Sequence, residues 1–246
     1  SPMPKLSNTI KNTLYYFNNK GVLQKGKTVG EYQLDKITGA AIKIATEPDT
    51  SEVTDESNTT GGDADNTATT VDKLHIFVGD SRTVGLSNAM GCVSYDKLLQ
   101  IRTEENLTEY YLAEVGSGYS WYRTKALPKL VKMLNENPAA TVILNHGIND
   151  LGNIDQYIAS YQWLIRVYPN TKFVIMSVNP VNRKLYKGYA KPANITVFNQ
   201  KMQAAFPNNF VNTYQYLQSM GFNTADGLHY DSLTYMNLYN YMQPYL

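Results

Sequence analysis

One serine stands at the end of an apolar run, at residues 74–82. The run is rich in large apolar residues and closes with Gly79-Asp80-Ser81. This pattern predicts a buried strand that delivers Ser81 to the start of a helix. Open α/β sheets bind ligands at the carboxyl ends of their strands, and the first N–H groups of a helix point at bound anions. Ser81 is therefore a candidate nucleophile, although an aspartate-serine pair is also a common helix cap.

An aspartate and a histidine with catalytic spacing lie near the end of the chain, in Asp226-Gly227-Leu228-His229. Within a short turn, Asp226 can accept a hydrogen bond from Nδ1 of His229. That bond fixes the tautomer of the ring and leaves Nε2 to take a proton from a serine. Taken alone, the motif is better explained by an aspartate that caps a helix and a histidine on the surface. Its meaning therefore depends on whether the fold brings it to Ser81.

Two turns, each after an apolar strand, could supply hydrogen-bond donors to the same crevice. Gly147 lets the chain turn sharply, so that the side-chain amide of Asn149 could lie over Ser81. In the other turn, the backbone N–H of Gly116 or Gly118 could meet a developing oxyanion. Glycine and asparagine also form ordinary turns, so neither turn is specific by itself.

The remaining pattern supplies the elements that would position these groups. Strands are expected at residues 74–78, 110–115, 141–145, 172–178 and 210–213, and helices at 124–135, 154–168, 194–206 and 232–241. This alternation indicates βαβ units, and hence a parallel sheet with helices on both faces. Continuous apolar strands are typical of sheets that are covered on both sides. Loops that follow the carboxyl ends of such strands can meet in one crevice.

Together, the four motifs resemble the SGNH (GDSL-type) hydrolase family, whose four sequence blocks supply Ser, Gly, Asn and His. The resemblance covers residues 74–246. It implies an α/β fold of the flavodoxin-like, three-layer α/β/α type with a five-stranded parallel sheet. It also implies a serine ester hydrolase that works through an acyl-enzyme.

The resemblance assigns a role to each motif. The implied triad and oxyanion-hole residues are Ser81, Asp226, His229, Gly116 and Asn149, with Ser81 also donating its backbone N–H to the oxyanion hole. The second sequence block departs from its usual form, so Gly118 remains an alternative to Gly116. The family's leucine after the nucleophile is Arg82 in this chain. Arg82 is either a surface residue on the first helical turn or a contact to an anionic substrate.

Aromatic residues flank the expected site and could stack on a sugar ring, because an aromatic side chain offers a large apolar face. With Arg82, the expected substrate contacts are Tyr119, Trp121 and Tyr230. Each of these aromatic residues would also be a credible core residue.

The first part of the chain contains two similar aromatic units, at residues 14–23 and 31–40. Each has an aromatic run, a polar turn that ends in glycine and a short return run, which predicts two tandem β-hairpins. The units resemble the cell-wall-binding (choline- or glucan-binding) repeats of Gram-positive surface proteins. The tryptophans typical of those repeats are missing, so the units are either a truncated binding array or hairpins that lean on the next domain.

Residues 47–72 change the composition, with eight acidic residues and no lysine or arginine. Such a polar segment buries too little apolar surface to offset its ordering entropy, which predicts an extended linker. The expected domains are therefore hairpin repeats at 1–46, an acidic, threonine-rich linker at 47–72 and a hydrolase domain at 73–246.

Composition excludes several classes of function. The chain has 246 residues, a net charge of +1 and one cysteine, so nucleic-acid binding and an intrachain disulfide are not expected. No apolar run is long enough to span a bilayer. Neither a metal-binding cluster nor a nucleotide-binding loop is present in the sequence, so we expect no metal and no cofactor. No signal peptide is visible, but Ser1-Pro2-Met3-Pro4 resembles the remnant of a tag in place of the natural start, so this absence decides little.

These observations predict an extracellular serine esterase, secreted or at the surface of a Gram-positive-type bacterium, that removes acetyl groups from carbohydrate. The expected partners are an acylated carbohydrate or another small ester, and a cell-wall polymer at the hairpins. One alternative is an O-acetyltransferase that uses the same residues to move acetyl groups onto cell-wall polysaccharide. Lipid or thioester hydrolysis is another, and a wall-attachment protein with an idle catalytic domain is a third.

Overall fold

The computed structural model describes residues 6–10, 13–17, 26–29, 32–34, 41–43 and 73–246. The chain divides into two compact units, Ser1–Val71 and Asp72–Leu246. The second unit carries all four candidate motifs. The expected linker at residues 47–72 lies outside the described residues.

The first unit holds two small antiparallel sheets. The strands are β1 (Leu6–Ile10), β2 (Thr13–Phe17), β3 (Thr28–Val29), β4 (Tyr32–Leu34) and β5 (Ala41–Lys43). β1 pairs with β2, and β4 lies between β3 and β5. The ring centroids of Tyr16 and Tyr32 are 6.0 Å apart, so the two sheets meet through aromatic side chains. β4 and β5 form the second expected hairpin, whereas β2 pairs with the strand before it, and its expected return strand at residues 22–23 lies outside the described residues.

The second unit is built on a seven-stranded sheet. Its strands are β6 (Lys73–Gly79), β7 (Val93–Asp96), β8 (Leu99–Glu104), β9 (Leu107–Ala113), β10 (Thr141–Asn145), β11 (Lys172–Met176) and β12 (Phe210–Val211). Their order across the sheet is β12-β11-β10-β6-β9-β8-β7. The five strands from β12 to β9 are parallel, whereas β8 and β7 are antiparallel additions at one edge.

The prediction of an α/β fold with five parallel strands is confirmed, and the five strands follow the flavodoxin-like order 2-1-3-4-5. The antiparallel pair β7–β8 was not expected. Residues 93–96 are mostly exposed. An exposed strand does not need the continuous apolar run by which the five parallel strands were predicted, so β7 had no such signal in the sequence.

Helices cover the sheet. They are α1 (Ser81–Ala89), α2 (Tyr119–Trp121), α3 (Leu127–Glu136), α4 (Ile154–Val167), α5 (Pro192–Ala205), α6 (Thr213–Met220) and α7 (Ser232–Met242), with a π-helical turn at Tyr122–Ala126 that joins α2 to α3. The four expected helices are present, and the first of them begins earlier, in α2. α6 was not expected.

α4 shows how the sequence specifies such a helix. Its buried residues Ile154, Tyr157, Tyr161 and Leu164 recur every three or four positions, which puts them on one face. The helix ends before Pro169, because a proline disfavours helical geometry in the residue that precedes it.

The packing of α1 and α7 against one face of the sheet brings the two ends of the second unit together. Phe77 and Tyr111 stack from neighbouring strands at 4.5 Å between ring centroids, in one cluster with Leu86 of α1 and Leu238 of α7. Alternation along β6 turns Ile76 and Val78 to the other face. Because α7 directly follows the Asp226–His229 turn, its packing on α1 holds that turn near the start of α1.

Candidate active site

Three neighbouring strands end in one row. Gly79 at the end of β6 lies opposite Asn145 of β10 on one side and Ala113 of β9 on the other. The loops that carry Ser81, Asn149 and Gly116 therefore leave the sheet at the same edge. This register is the reason that motifs about 30 residues apart in sequence share one crevice.

Ser81 is the first residue of α1. The carboxylate of Asp80 caps the helix by accepting a hydrogen bond from the N–H of Arg82 at 2.9 Å. Gly79 is required for this tight strand-to-helix turn, since a β-carbon there would overlap the Thr83 hydroxyl and lie 2.9 Å from the carbonyl oxygen of Asn145. In the described part of the chain, the N–H of Ser81 has no acceptor. It is thus available to a ligand at the start of the helix.

The structure brings Ser81, His229 and Asp226 into a hydrogen-bonded line. Nε2 of His229 lies 2.9 Å from Oγ of Ser81, and Nδ1 lies 2.6 Å from Oδ2 of Asp226. This geometry fits the tautomer in which Nδ1 carries the proton toward the carboxylate and Nε2 accepts the proton of the serine hydroxyl.

The turn that carries His229 is held by Asp226 and by a glycine. Oδ1 of Asp226 accepts hydrogen bonds from the N–H groups of Leu228 and His229, both at 2.8 Å. Desolvation opposes ionisation of Asp226, but the hydrogen bonds from His229 and Leu228 outweigh it and lower its pKa to about 2. Gly227 has φ +82°, and a β-carbon there would lie 2.6 Å from the carbonyl oxygen of Asn182. Both features require glycine at this position.

The site is open to solvent on the side of the histidine. Ser81 is buried, whereas the side chains of His229 and Asp226 are 41% and 53% exposed. A ligand can therefore reach the serine without entering a deep tunnel.

Asn149 lies beside the loop that carries the two candidate glycines. Its side-chain Nδ2 donates to the carbonyl oxygen of Ser117 at 2.8 Å, which uses one of its two N–H groups and leaves the other. Gly116 has φ +76° and is exposed, and Gly118 is packed so that a β-carbon would lie 2.6 Å from the Asp150 carboxylate. Neither glycine N–H has a hydrogen-bond partner among the described residues, so both remain candidate oxyanion donors.

Ser117, between the two glycines, is the buried residue of this loop. Its Oγ lies 3.3 Å from the carbonyl oxygen of Gly79 and 3.3 Å from Nε2 of His146. Burial lowers the pKa of His146 to about 3, so the imidazole is neutral at physiological pH. The hydroxyl of Ser117 thus connects the glycine loop to the end of β6, and the neutral His146 connects it to the end of β10.

Asp150 braces the same loop from the other side. Its carboxylate accepts hydrogen bonds from the N–H of Tyr119 at 2.6 Å, from Asn153 at 2.9 Å and from the hydroxyl of Tyr157 at 3.0 Å. Asp150 is not among the residues predicted from the sequence. Its position directly after Asn149, in the turn that follows β10, was the available signal.

Arg82 fits neither expectation, since it is neither a surface residue of the first helical turn nor free to contact a substrate. Its side chain is buried, with only 3% of the residue exposed. Its guanidinium donates to three carbonyl oxygens, those of Asn179 at 2.7 Å, Pro180 at 3.0 Å and Leu228 at 3.1 Å. It also lies over the Tyr230 ring, 5.1 Å from the centroid. Arg82 thus ties α1 to Leu228, the residue that precedes His229.

The three expected aromatic contacts differ in accessibility. Tyr230 is buried and donates its hydroxyl to the carbonyl oxygen of Pro180 at 2.6 Å, so its ring cannot stack on a ligand. Trp121 is half-buried, with its indole N–H bonded to Glu114 at 2.9 Å. Tyr119 is also half-buried and packs edge-on against Tyr157 at 5.0 Å. Of the three, only Tyr119 and Trp121 are partly exposed.

Among the described residues, no cluster of three or more histidine, cysteine or acidic side chains has the arrangement of a metal site. In the same part of the chain, none of the helices has the length and apolar character needed to cross a membrane.

Comparisons with known proteins show the fold. No protein-family model matches the sequence, and no curated protein matches it significantly. One similar solved structure is a candidate platelet activating factor from Streptococcus pneumonia, with 22% identity, a TM-score of 0.50 and coverage of 73% of this chain and 86% of that one. Another is an acetyl xylan esterase, with 16% identity, a TM-score of 0.51 and coverage of 70% and 98%. At these identities the similarity is one of architecture.

Proposed function

We propose that residues 73–246 form a serine esterase whose substrates are O-acetyl groups on carbohydrate. The proposal rests on the hydrogen-bonded line from Ser81 through His229 to Asp226, with distances of 2.9 and 2.6 Å. A serine beside an oriented imidazole, at the free N-terminus of a helix, has the parts needed for acyl transfer.

In the first half-reaction, Nε2 of His229 takes the proton of the Ser81 hydroxyl while Oγ bonds to the ester carbonyl carbon. The carbonyl electron pair moves onto oxygen. This oxyanion accepts hydrogen bonds from the N–H of Ser81, from Gly116 (or Gly118) and from the amide of Asn149. The intermediate then expels the alcohol, which receives the proton from His229, and an acetyl ester remains on Ser81.

In the second half-reaction, water replaces the alcohol. His229 takes a proton from the water as its oxygen attacks the acetyl-enzyme, and the same donors stabilise the second oxyanion. Collapse of that intermediate returns the proton to Oγ of Ser81 and releases acetate. Asp226 stays ionised throughout, because its pKa of about 2 lies far below neutral pH.

The openness of the site supports a polymer substrate. Because His229 and Asp226 are about half exposed, a chain of sugars can lie across the crevice while one acetyl group reaches Ser81. A protein of the same fold is an acetyl xylan esterase, which acts on such a substrate. The half-buried Tyr119 and Trp121 are available at the rim for contact with sugars.

A second proposal concerns the first unit. We propose that residues 1–46 bind a cell-wall polymer, that residues 47–72 are a linker and that the protein works outside the cell. The aromatic contact between Tyr16 and Tyr32 is compatible with such a role, since aromatic surfaces bind sugars. Binding of the full chain to purified cell wall, compared with a chain that lacks residues 1–46, tests this assignment.

The experiment that tests the esterase is release of 4-nitrophenol and acetate from 4-nitrophenyl acetate by the full chain and by Ser81→Ala. We expect Ser81→Ala to lose roughly 10⁴-fold or more in turnover, since the nucleophile and its base act as a unit. Ser120→Ala is the matched control, because Ser120 is exposed beside the glycine loop and outside the triad. Equal activity of the wild-type chain and Ser81→Ala would show that Ser81 is not the nucleophile.

The same assay separates the alternatives. An acetyltransferase would release 4-nitrophenol faster when a deacetylated sugar acceptor is added, with little free acetate in its absence. A lipase or thioesterase would prefer longer acyl chains or thioesters over acetyl esters. No activity in any of these assays, with wild-type and Ser81→Ala alike, would favour an idle catalytic domain.

A further inference from the structure

One long loop connects the turn that carries His229 to the residue expected to stabilise the oxyanion. It runs over residues 177–191, between β11 and α5. Near its start, the N–H of Asn182 donates to the carbonyl oxygen of Gly227 at 2.8 Å. Near its end, the hydroxyl of Tyr189 donates to the carbonyl oxygen of Asn149. The loop therefore forms one wall of the crevice around Ser81.

This wall is strongly basic. It carries Arg183, Lys184, Lys187 and Lys191, and it contains no aspartate or glutamate. The charge of this one loop exceeds the net charge of +1 of the whole chain. Such a local excess creates a positive field at the crevice, although the protein as a whole is nearly neutral.

The lysines of the wall are available to a ligand. Lys184, Lys187 and Lys191 are exposed, and none of them forms an ion pair within the described residues. Arg183 has a different task, since it donates to the carbonyl oxygen of Gly188 at 2.8 Å and lies over the Tyr186 ring. The arginine thus shapes the loop, and the three lysines carry its free charge.

The carboxylates on the segments that the wall touches do not neutralise these lysines. Asp226 is bonded to His229 at 2.6 Å. Asp150 accepts from the N–H of Tyr119 at 2.6 Å and from Tyr157 at 3.0 Å. Hydrogen bonds hold both carboxylates in the site, and the four basic residues of the wall outnumber these two acids, so an incoming anion meets an excess of positive charge on this side.

An aromatic face lies among these charges. Tyr189 is 64% exposed, yet its hydroxyl is fixed on the backbone of Asn149. A fixed ring offers an apolar surface without the loss of side-chain freedom that a mobile ring would suffer on binding. Ammonium groups beside such a ring match a sugar that carries an anionic group.

We propose that this loop binds an anionic polysaccharide, so that the natural substrate is an acetyl ester on a polymer whose sugars carry carboxylate or phosphate groups. The inference rests on the proposed esterase function and names its substrate class. Lys184, Lys187 and Lys191 hold the anionic groups of the polymer, and the Tyr189 ring supports a sugar next to Asn149. The acetyl group of a neighbouring position then reaches Ser81.

The test compares two O-acetylated polymers, acidic polygalacturonate and neutral glucomannan. The variant is Lys184→Gln with Lys187→Gln and Lys191→Gln. Its matched control is Lys73→Gln with Lys97→Gln and Lys132→Gln, which removes the same charge from exposed positions away from the wall. Exposed ion pairs contribute modestly, so we expect about a tenfold loss of kcat/KM on polygalacturonate from three lysines together.

Several outcomes decide the proposal. We expect activity on glucomannan and on 4-nitrophenyl acetate to change by less than about twofold in both triple variants, and added salt to remove the wild-type preference for the acidic polymer. An unchanged rate of the loop variant on polygalacturonate, or an equal loss on both polymers, would overturn the proposal. If Ser81-dependent hydrolysis is present without any preference for charge, the esterase function stands and this inference fails.

A binding measurement keeps the test independent of turnover. In affinity electrophoresis, gels that contain polygalacturonate should retard the wild-type chain and the control variant more than the loop variant. Gels that contain poly(glycerol phosphate) distinguish phosphate from carboxylate as the preferred anion. Equal retardation of the two variants in both gels would contradict the proposed surface even if no ester is hydrolysed.

Discussion

Two buried carboxylates lie at opposite ends of the same sheet, and their environments differ. Glu109 lies near the start of β9, opposite His75 of β6, at the end of the sheet away from the candidate site. Asp80 lies at the carboxyl end of β6, next to Ser81. Both carboxylates are almost completely buried.

Glu109 is surrounded by donors. Its carboxylate accepts from Arg102 at 2.8 Å, from Tyr111 at 2.9 Å and from Tyr239 at 2.8 Å, and Nδ1 of His75 lies 3.4 Å away. Burial alone would raise its pKa, but the hydrogen bonds from His75, Tyr239 and Arg102 hold the pKa below the usual range for glutamate. This cluster ties β8 and β9 to α7.

Fewer hydrogen bonds stabilise the ionised form of Asp80 than that of Glu109. Burial raises its pKa to about 6, and the hydrogen bond from the N–H of Arg82 only partly opposes that effect. The carboxylate is therefore destabilised in the folded state at neutral pH. Asp80 lies at the turn that carries Ser81, whereas Glu109, whose charge is stabilised by hydrogen bonds, lies at the other end of the sheet. We infer that the end of the sheet with Glu109 stabilises the fold, whereas the end with Asp80 is less stable and positions Ser81.

The largest effect should come from Glu109→Gln. The variant leaves the Arg102 guanidinium without its buried counter-charge, which should lower the free energy of unfolding by about 3–5 kcal/mol. Urea unfolding followed by tryptophan fluorescence measures it, since Trp121 and Trp163 both lie in the second unit.

The control for that variant is Glu104→Gln. Glu104 also bonds Arg102, but its side chain is 54% exposed, so we expect a change within roughly 0.5 kcal/mol. Turnover of folded Glu109→Gln should remain within about twofold of wild type. A selective loss of kcat with unchanged stability would refute the separation of the two ends.

The next effect concerns two arginines, each at one end of the sheet. Arg82→Lys keeps the charge but cannot reach the carbonyl oxygens of Asn179, Pro180 and Leu228 together, so the turn with His229 should shift relative to Ser81. We expect kcat for 4-nitrophenyl acetate to fall roughly 100-fold with little change in KM, because misplaced groups of this kind reduce the rate rather than binding.

Arg102→Lys is the matched control, because Arg102 belongs to the Glu109 cluster. It should lower stability and leave kcat near the wild-type value when both variants are assayed at a temperature at which they are folded. If the two variants lose kcat equally, the loss reflects a general loosening of the fold and Arg82 has no special positioning role.

The sequence predicts the parts of this arrangement that depend on local pattern. The strand that ends at Gly79 and the Asp226–His229 turn were both recognisable, because strand periodicity and short turns are properties of adjacent residues. The register that sets Gly79 beside Asn145 and Ala113 follows from the pairing of parallel strands, which the fold class implies. For this reason, the strand pattern and the fold class together were enough to predict the five parallel strands and the meeting of the loops that follow them.

The environment of Arg82 and Tyr230 could not be predicted in the same way. Both are buried because the loop at residues 177–191 folds back over them and supplies the carbonyl oxygens of Asn179 and Pro180. No local pattern specifies that path. As long as the path of that loop is unknown, the sequence is equally compatible with an Arg82 side chain that faces solvent, a substrate or buried carbonyl groups.

The smallest expected effect is the change of folding stability with pH that the buried carboxyl group of Asp80 causes. In the unfolded chain an aspartate titrates near ~3.9, whereas in the folded protein burial raises the pKa of Asp80 to about 6. Between these values the folded state binds more protons, so the contribution of Asp80 to stability falls as pH rises from about 4 to about 6. Asp80→Asn still caps α1 and does not titrate, so its stability relative to wild type should rise by roughly 2 kcal/mol between pH 4 and pH 7.

Asp231→Asn provides a control of opposite sign. Asp231 caps α7 through the N–H of Thr234 at 2.8 Å, and hydrogen bonds from Thr234 lower its pKa. Its carboxylate stabilises the fold above the pKa of the unfolded chain and loses that effect as pH falls, so Asp231→Asn should become less stable relative to wild type as pH rises. Parallel pH curves for wild type and Asp80→Asn in urea unfolding would mean that Asp80 is compensated as well as Glu109, and the contrast between the two ends of the sheet would disappear.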